Sequence, residues 1–193
     1  MRRKRMPKLN DRKWKKFKAF GEDGLFSIAT TSSSVDSIRL IASDNEGFPY
    51  VTRSDKNNGI ARFVAEENKG AYGYDRAGTI TIGLDTQTAF WQPCDYVTGQ
   101  NIQVISSERL NRHIAQFLIP LFKKQMNAKF NWGGNGATLT RMKTLEILLP
   151  IDSSGEPDWN FMEDYIRERE AIQLSRLKTF LNKQIAEIER ERE

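Results

Sequence analysis

Residues 159–193, WNFMEDYIREREAIQLSRLKTFLNKQIAEIERERE, contain neither glycine nor proline. Such a run reads as one helix, and Asp158 just before it supplies an N-cap acceptor. At about 1.5 Å per residue the helix would extend roughly 50 Å, more than a compact domain of this size can easily cover. Leu174, Leu177, Leu181 and Ile188 follow an a/d-like seam, widened by Phe180 and Ile185, while Glu170 and Gln184 interrupt it at d positions. An isolated helix with a wet apolar stripe needs a partner. Its own domain is one candidate; the length favours a coiled-coil arm on another chain.

Residues 14–105 have a different texture, with short β-type elements. LFSIATT (25–31), FPYVT (48–52) and IARFV (60–64) are strand-like. So are GTITIGL (78–84) and NIQVIS (101–106), with TAFWQP between them. Trp14 to Phe20 begins a strand or a short helix, and SVDSIRLIAS (34–43) has a spacing compatible with a short helix. In LNRHIAQFLIPLFKKQM (110–126) Ile114, Phe117, Leu118 and Leu121 fall at helical spacing behind an N-cap at Asn111. Pro120 is expected to kink or break that helix. FNWGGNGATLTRM (130–142) reads as a loop, LEILLP (145–150) as a buried strand closed by proline, and DSSGEPDW (152–159) as a turn and linker. The expected class is α+β: a globular domain with a β-rich core and short helices, then one long C-terminal coiled-coil-like helix.

The net charge of +5 is unevenly placed. Residues 1–18 hold ten Lys/Arg against one acid, Asp11, leaving 20 basic and 24 acidic residues beyond them. Such an arm is either a solvated tail or a contact for a polyanion. From 109 to 145 there is no Asp or Glu, yet there are seven Lys/Arg: Arg109, Arg112, Lys123, Lys124, Lys129, Arg141 and Lys143. A surface facing phosphate would account for this, as would a buried helix with incidental basics at its ends. No apolar run approaches the roughly 18–20 residues of a membrane span. The charged N-terminus lacks a following apolar segment, so it is no secretory signal. The chain therefore reads as soluble and cytoplasmic.

The same residues offer little for catalysis. One cysteine, Cys94, and one histidine, His113, make neither a disulfide framework nor a usual zinc site. There is no phosphate-binding GxxxxGK[ST] loop and no NPPY- or DPPY-like tetrad of the kind amino-methyltransferases use. Gly21 to Gly24 and the 132–136 glycines lack the strand–loop–helix order that gives such glycines meaning. Asp75 and Asp85 lack a nearby Glu-x-Lys partner for a nuclease centre. His113 reads as a structural or phosphate-side residue. No catalytic residue, metal or cofactor is assigned to the chain.

Between the strand-like FPYV and IARFV lies TRSDKNNG, a run that can bury nothing without a partner. Asn57-Asn58-Gly59 is strong turn chemistry, because Asn and Gly tolerate positive φ. Arg pairs bidentately with guanine, Asn and Gln with adenine, and Thr methyls pack on thymine. Thr52, Arg53, Ser54, Asn57 and Asn58 supply that repertoire on one bend. Gln100 and Asn101 offer a second set, and Lys129, Asn131, Trp132, Arg141 and Lys143 a third, with the acid-free stretch available for phosphates. A hairpin loop whose polar groups satisfy only each other explains the bend equally well, with Thr52 and Asn57 closing the turn.

In chain order, WKKFKAFGEDGLFSI, FPYVTRSDKNNGIARFV, GTITIGLDTQTAFWQP, VTGQNIQVI, LNRHIAQFL and LLPIDSSGEPDWNFMEDYI resemble the DNA specificity (S) subunits of type I restriction-modification systems. More closely, they resemble one target recognition domain of that family, over roughly residues 10–170. With the basic N-terminal arm taken as 1–12, the resemblance implies a DNA-reading domain at 13–155 and a spacer and dimerisation helix at 156–193. It implies double-stranded DNA as target and, as partners, adenine-N6 methyltransferase subunits that carry the catalytic tetrad and S-adenosylmethionine site; restriction subunits often join them. Complete family S subunits carry two recognition domains and two antiparallel helices. The single set here implies a half-size subunit, expected to pair with a second copy. Rival readings are a coiled-coil interaction protein, an orphan S-like fragment competing for methyltransferase, and a cryptic nuclease.

Overall fold

The computed structural model describes residues 6–43, 47–130 and 138–191. Among the described residues the alternating segments form nine strands in three sheets. Strand β1 (Lys13–Lys18) pairs antiparallel with β9 (Glu146–Ile151), from Lys13 opposite Ile151 to Lys18 opposite Glu146. Four strands, β2 (Ser27–Thr30), β5 (Thr79–Gly83), β6 (Thr88–Gln92) and β8 (Ile102–Ser106), make an antiparallel sheet in the order β2-β8-β5-β6. The third sheet joins β3 (Phe48–Val51), antiparallel to β4 (Ile60–Val64), with the short β7 (Val97–Thr98) parallel to β3. The lysines at 13, 15, 16 and 18 are exposed along β1. Part of the basic N-terminal run thus lies on a strand edge, where charge discourages unwanted pairing.

Helix α1 (Glu67–Tyr72) follows β4. Helix α2 (Arg112–Lys129) carries Ile114, Leu118, Phe122 and Met126 on one buried stripe. The stripe packs with Ile80, Ile82 and Ile105 of the four-stranded sheet and with Ile147 and Leu149 of β9. Phe122 stacks on Phe20 at 5.8 Å and meets Phe26 edge-on at 5.8 Å. Pro120 does not break α2, which continues to Lys129. Proline removes a bond to the carbonyl four residues earlier. Here both Pro120 and Gln116 lie on the exposed side, where water can satisfy that carbonyl. The expected helix at 34–43 shrinks to a 3-10 turn, Ser37–Arg39. Its apolar spacing instead serves a second core, in which Val35 and Leu40 pack with Phe48, Tyr50, Val64 and Val97.

The two cores are bridged by a buried polar layer. Thr79 shares a 2.9 Å hydrogen bond with the Tyr96 hydroxyl, and Gln92 donates to Thr81 at 2.9 Å. Burial pushes the Tyr96 phenol well above its ordinary value, so it stays neutral and available as a donor. Thr98 of β7 donates to Thr31 at 2.6 Å, Thr31 donates to Asp75, and the Ser32 amide and hydroxyl reach Asp75 at 3.1 and 3.0 Å. Buried polar groups persist only when bonded, and this chain of hydroxyls locks the β3–β4–β7 sheet to the end of β2.

After the four-residue α3 (Leu139–Met142) and β9, helix α4 (Trp159–Arg190) begins as expected, with the Asp158 carboxylate accepting from the Phe161 amide at 2.9 Å. Its first turns dock: Phe161 and Met162 are buried, and Tyr165 meets Phe117 edge-on at 5.8 Å. Arg12 donates to Asp158 at 2.7 Å and lies over the Phe161 ring at 4.7 Å, tying the N-terminal segment to the helix base. Beyond that, every residue from Gln173 to Ile185 is exposed. The architecture is α+β, a β-rich body followed by one long helix.

Candidate nucleic-acid interface

The polar run between β3 and β4 is a folded bend. The Thr52 amide donates to the Gly59 carbonyl at 2.8 Å, its hydroxyl donates to the same carbonyl at 3.3 Å, and the Ser54 hydroxyl accepts from the Lys56 amide at 3.1 Å. Asn57, Asn58 and Gly59 have φ of 50°, 57° and 78°, the left-handed region that Asn and Gly tolerate best. Thr52 closes the bend as expected, the Asn57 carbonyl accepts from the Ile60 amide, and a further fastening comes from Asn58. Asn58 donates to the Trp91 carbonyl at 2.8 Å, and Gln92 donates to the Asn58 carbonyl at 3.3 Å.

The bend leans on two other turns. Arg53 pairs with Asp85 in the β5–β6 turn, and Asn101, in the turn before β8, donates to the same Asp85 oxygen at 3.1 Å. Arg53, Ser54, Asp55, Asp85, Thr86 and Gln87 line an open depression of about 510 Å³. Two of the residues expected to read bases therefore meet on a carboxylate to which the sequence reading assigned no binding role. Gln100, beside Asn101, turns away to donate to Asp36 at 3.0 Å.

The α2 helix brings cations to the same end. Gln87 donates to the Phe130 carbonyl, which places the last turn of α2, with exposed Lys129, beside the β5–β6 turn. The Lys123 ammonium lies 6.0 Å from the Phe90 ring. A methyl group at Gly59 would stand 3.4 Å from that same ring. Lys123 and Lys129 thus flank the bend, where with Arg53 and Lys56 they outnumber the carboxylates Asp55 and Asp85. Lys123 stood only among the basics of the acid-free stretch, because nothing in the linear order places it next to Gly59.

Other expected residues lie elsewhere. Arg141 belongs to α3 and Lys143 follows it; α3 packs by β2, at the opposite edge of the four-stranded sheet from β6 and the bend. Neighbouring strands are about 4.8 Å apart, so three strand intervals separate the groups. Asn131 and Trp132 lie outside the described residues. His113 takes a structural place, donating to Glu170 of α4 at 3.1 Å, and Arg112 pairs with the same carboxylate. The seam residues Leu174, Leu177, Phe180, Leu181, Ile185 and Ile188 are all between 48% and 61% exposed. No helix among the described residues is long and apolar enough to cross a membrane.

The fold has known relatives. The family model for the type I restriction modification DNA specificity domain matches residues 12–189. The type II restriction enzyme specificity subunit S.BcgI of Heyndrickxia coagulans is 28% identical over 167 residues, 84% of this chain and 45% of its own. In fold, the chain resembles the S subunit of a type I system from M. genitalium, with a TM-score of 0.55 at 13% identity, covering 91% of this chain and 43% of that one. A chain from a structure describing assembly and conformational transition of the type I R-M system gives 0.55 at 16% identity, covering 92% and 43%. The chain spans less than half the length of each of these relatives. With the match running from β1 to the last turn of α4, the chain belongs to the type I restriction-modification DNA specificity domain family.

Proposed function

We propose that the chain reads half of a bipartite DNA sequence and presents it to adenine-N6 methyltransferase subunits, doing no chemistry itself. The observation that carries this reading is the junction of two features in one family member. A cluster of turns offers base-reading side chains beside α2 lysines, and α4 leaves the body with its apolar seam uncovered. Thr52, Arg53, Ser54, Asn57 and Asn58 form the reading set, with Asn101 behind them on Asp85, while Lys123 and Lys129 hold the phosphate backbone. Arg141 and Lys143, at the other sheet edge, serve phosphates.

The second half of the target is read by another copy. Along α4 beyond Gln173, Arg176, Lys178 and Lys183 precede Glu187, Glu189, Arg190 and Glu191, so the first part is basic and the last part net acidic. An antiparallel pair sets the basic part of one helix against the acidic part of the other. Such a pair is isologous, puts the two reading ends apart, and yields an interrupted palindrome whose gap follows the helix length. The paired helices also give the methyltransferase, and a restriction subunit where one joins, a surface to dock on.

A methylome tests the reading. The chain is co-expressed with the adenine-N6 methyltransferase subunit of a type I system, and N6-methyladenine is mapped by direct sequencing. An interrupted palindrome supports a symmetric reader, and an asymmetric bipartite motif assigns the second half to another protein. No new methylation from a soluble, associated pair overturns the reading in favour of an orphan fragment or interaction protein.

A further inference from the structure

Three turns on three separate strand ends converge at Asp85. Arg53 gives it Nη1, and Asn101 gives its Nδ2 to the same oxygen, Oδ2, at 3.1 Å. The approach is close along the backbone as well: the Arg53 Cα lies 3.5 Å from where a Cβ on Gly83 would stand. Both Arg53 and Asp85 remain about 40% exposed, with side-chain exposures of 43% and 41%. The pair therefore faces the open depression and is not a buried structural bridge. An exposed ion pair of this kind contributes little to folding, so stability does not explain its place at the centre of the turn cluster.

The donor inventory of Arg53 is informative. A guanidinium carries five N–H groups in a rigid fork. Asp85 occupies Nη1, which leaves the Nε–Nη2 edge without a protein partner among the described residues. That edge is one of the two that can meet guanine O6 and N7 together. A carboxylate bound to the opposite corner restrains the guanidinium plane and removes most of the freedom that a long side chain loses on binding. The same carboxylate repels phosphate and weakens non-specific attachment at this point.

We infer that Asp85 is a specificity-determining, positioning residue: it holds Arg53 for a guanine edge and discourages Arg53 from settling on the DNA backbone. Asn101 supports it by anchoring the shared oxygen from the third turn. This inference rests on the proposed reading of DNA by the bend.

The test selects binding sites for the full chain from a randomised duplex DNA library, using wild type, Asp85→Asn, Asn101→Ala and Arg53→Ala. Asp85→Asn keeps the shape and removes the charge. The expected result is two- to tenfold tighter binding to unselected duplex, together with about a tenfold loss of preference at one base pair. That base pair is the one Arg53→Ala affects, and Asn101→Ala loses part of the same preference. A wild-type chain that enriches no sequence refutes the DNA-reading proposal itself. A wild-type chain that enriches a sequence, with Asp85→Asn returning the same profile, overturns only the role of Asp85. A uniform gain in affinity with the profile unchanged also overturns it, because the carboxylate then acts only as a repelling charge.

Discussion

Glu170 of α4 accepts a hydrogen bond from His113 of α2 at 3.1 Å, and its second oxygen takes Arg112. Seven residues earlier, Glu163 accepts from Asn111 at 3.2 Å and from Arg167. Two acids of α4 thus sit over the first turn of α2, where the helix dipole also favours negative charge. Both carboxyls are held below the ordinary glutamate range: Glu170 by His113 and then Arg112, Glu163 by Arg167 and then Asn111. A carboxylate depressed by folding stabilises the native state fully above its unfolded value and loses that contribution as pH falls through the folded one. Docking of α4 on α2 is therefore expected to weaken as the pH falls below about 4.3, the ordinary glutamate value. Melting curves recorded from pH 3 to 7 should show this decline, and Glu170→Gln should flatten it while lowering stability at pH 7.

The bend makes a separate stability prediction. A side chain at Gly59 would have to adopt a φ of 78°, with its Cβ 3.2 Å from both the Thr52 carbonyl and Val51 Cγ1. Gly59→Ala is expected to cost about 1–3 kcal/mol, read as a lower urea midpoint at unchanged m-value. Asn58→Ala combines a lost bond to Trp91 with a left-handed backbone and should fall in the same range.

Legibility followed the range of the interaction. The N-caps at Asn111 and Asp158 and the strands around the bend were readable because each depends on residues a few positions apart. Glu170 looked like a flaw in a heptad seam. The structure shows it as the anchor to Arg112 and His113, 58 and 57 residues away. The apolar seam of α4 is left uncovered beyond it. Asp85 escaped for the same reason: its meaning comes from Arg53 and Asn101, which no local pattern connects to it. Pro120 leaves α2 unbroken because a proline is tolerated on a wet face, and burial is a tertiary property. Arg141 joined the candidate set through its neighbours in sequence, whereas sheet order sends it to the far edge.

The reading set and the phosphate set should separate in binding experiments. Arg53→Ala is expected to cost about 1–3 kcal/mol at one base position and little elsewhere. Lys129→Ala should weaken all duplexes alike and reduce the slope of log K against log salt by about 0.9. Competition anisotropy over single-base-pair variants at several salt concentrations distinguishes them. An Arg53→Ala chain that keeps its full preference removes that assignment.

The seam of α4 makes the last prediction. Leu177 and Leu181 are 53% and 48% exposed, so pairing would cover about half of each side chain. Burying a whole leucine side chain is worth at least about 1.5 kcal/mol, so this amounts to roughly 0.8 kcal/mol per leucine, or about 3 kcal/mol for the four in a symmetric pair. Replacing both by glutamine is then expected to raise the dimer Kd more than about a hundredfold. The body should melt as before, because α4 docks through Phe161, Met162 and Tyr165, well away from either leucine. Light scattering at micromolar concentration should give two chains for wild type and one for the double variant. A wild-type chain that stays monomeric, even with the methyltransferase present, would sink the pairing, and the seam would then have to be covered by a different protein.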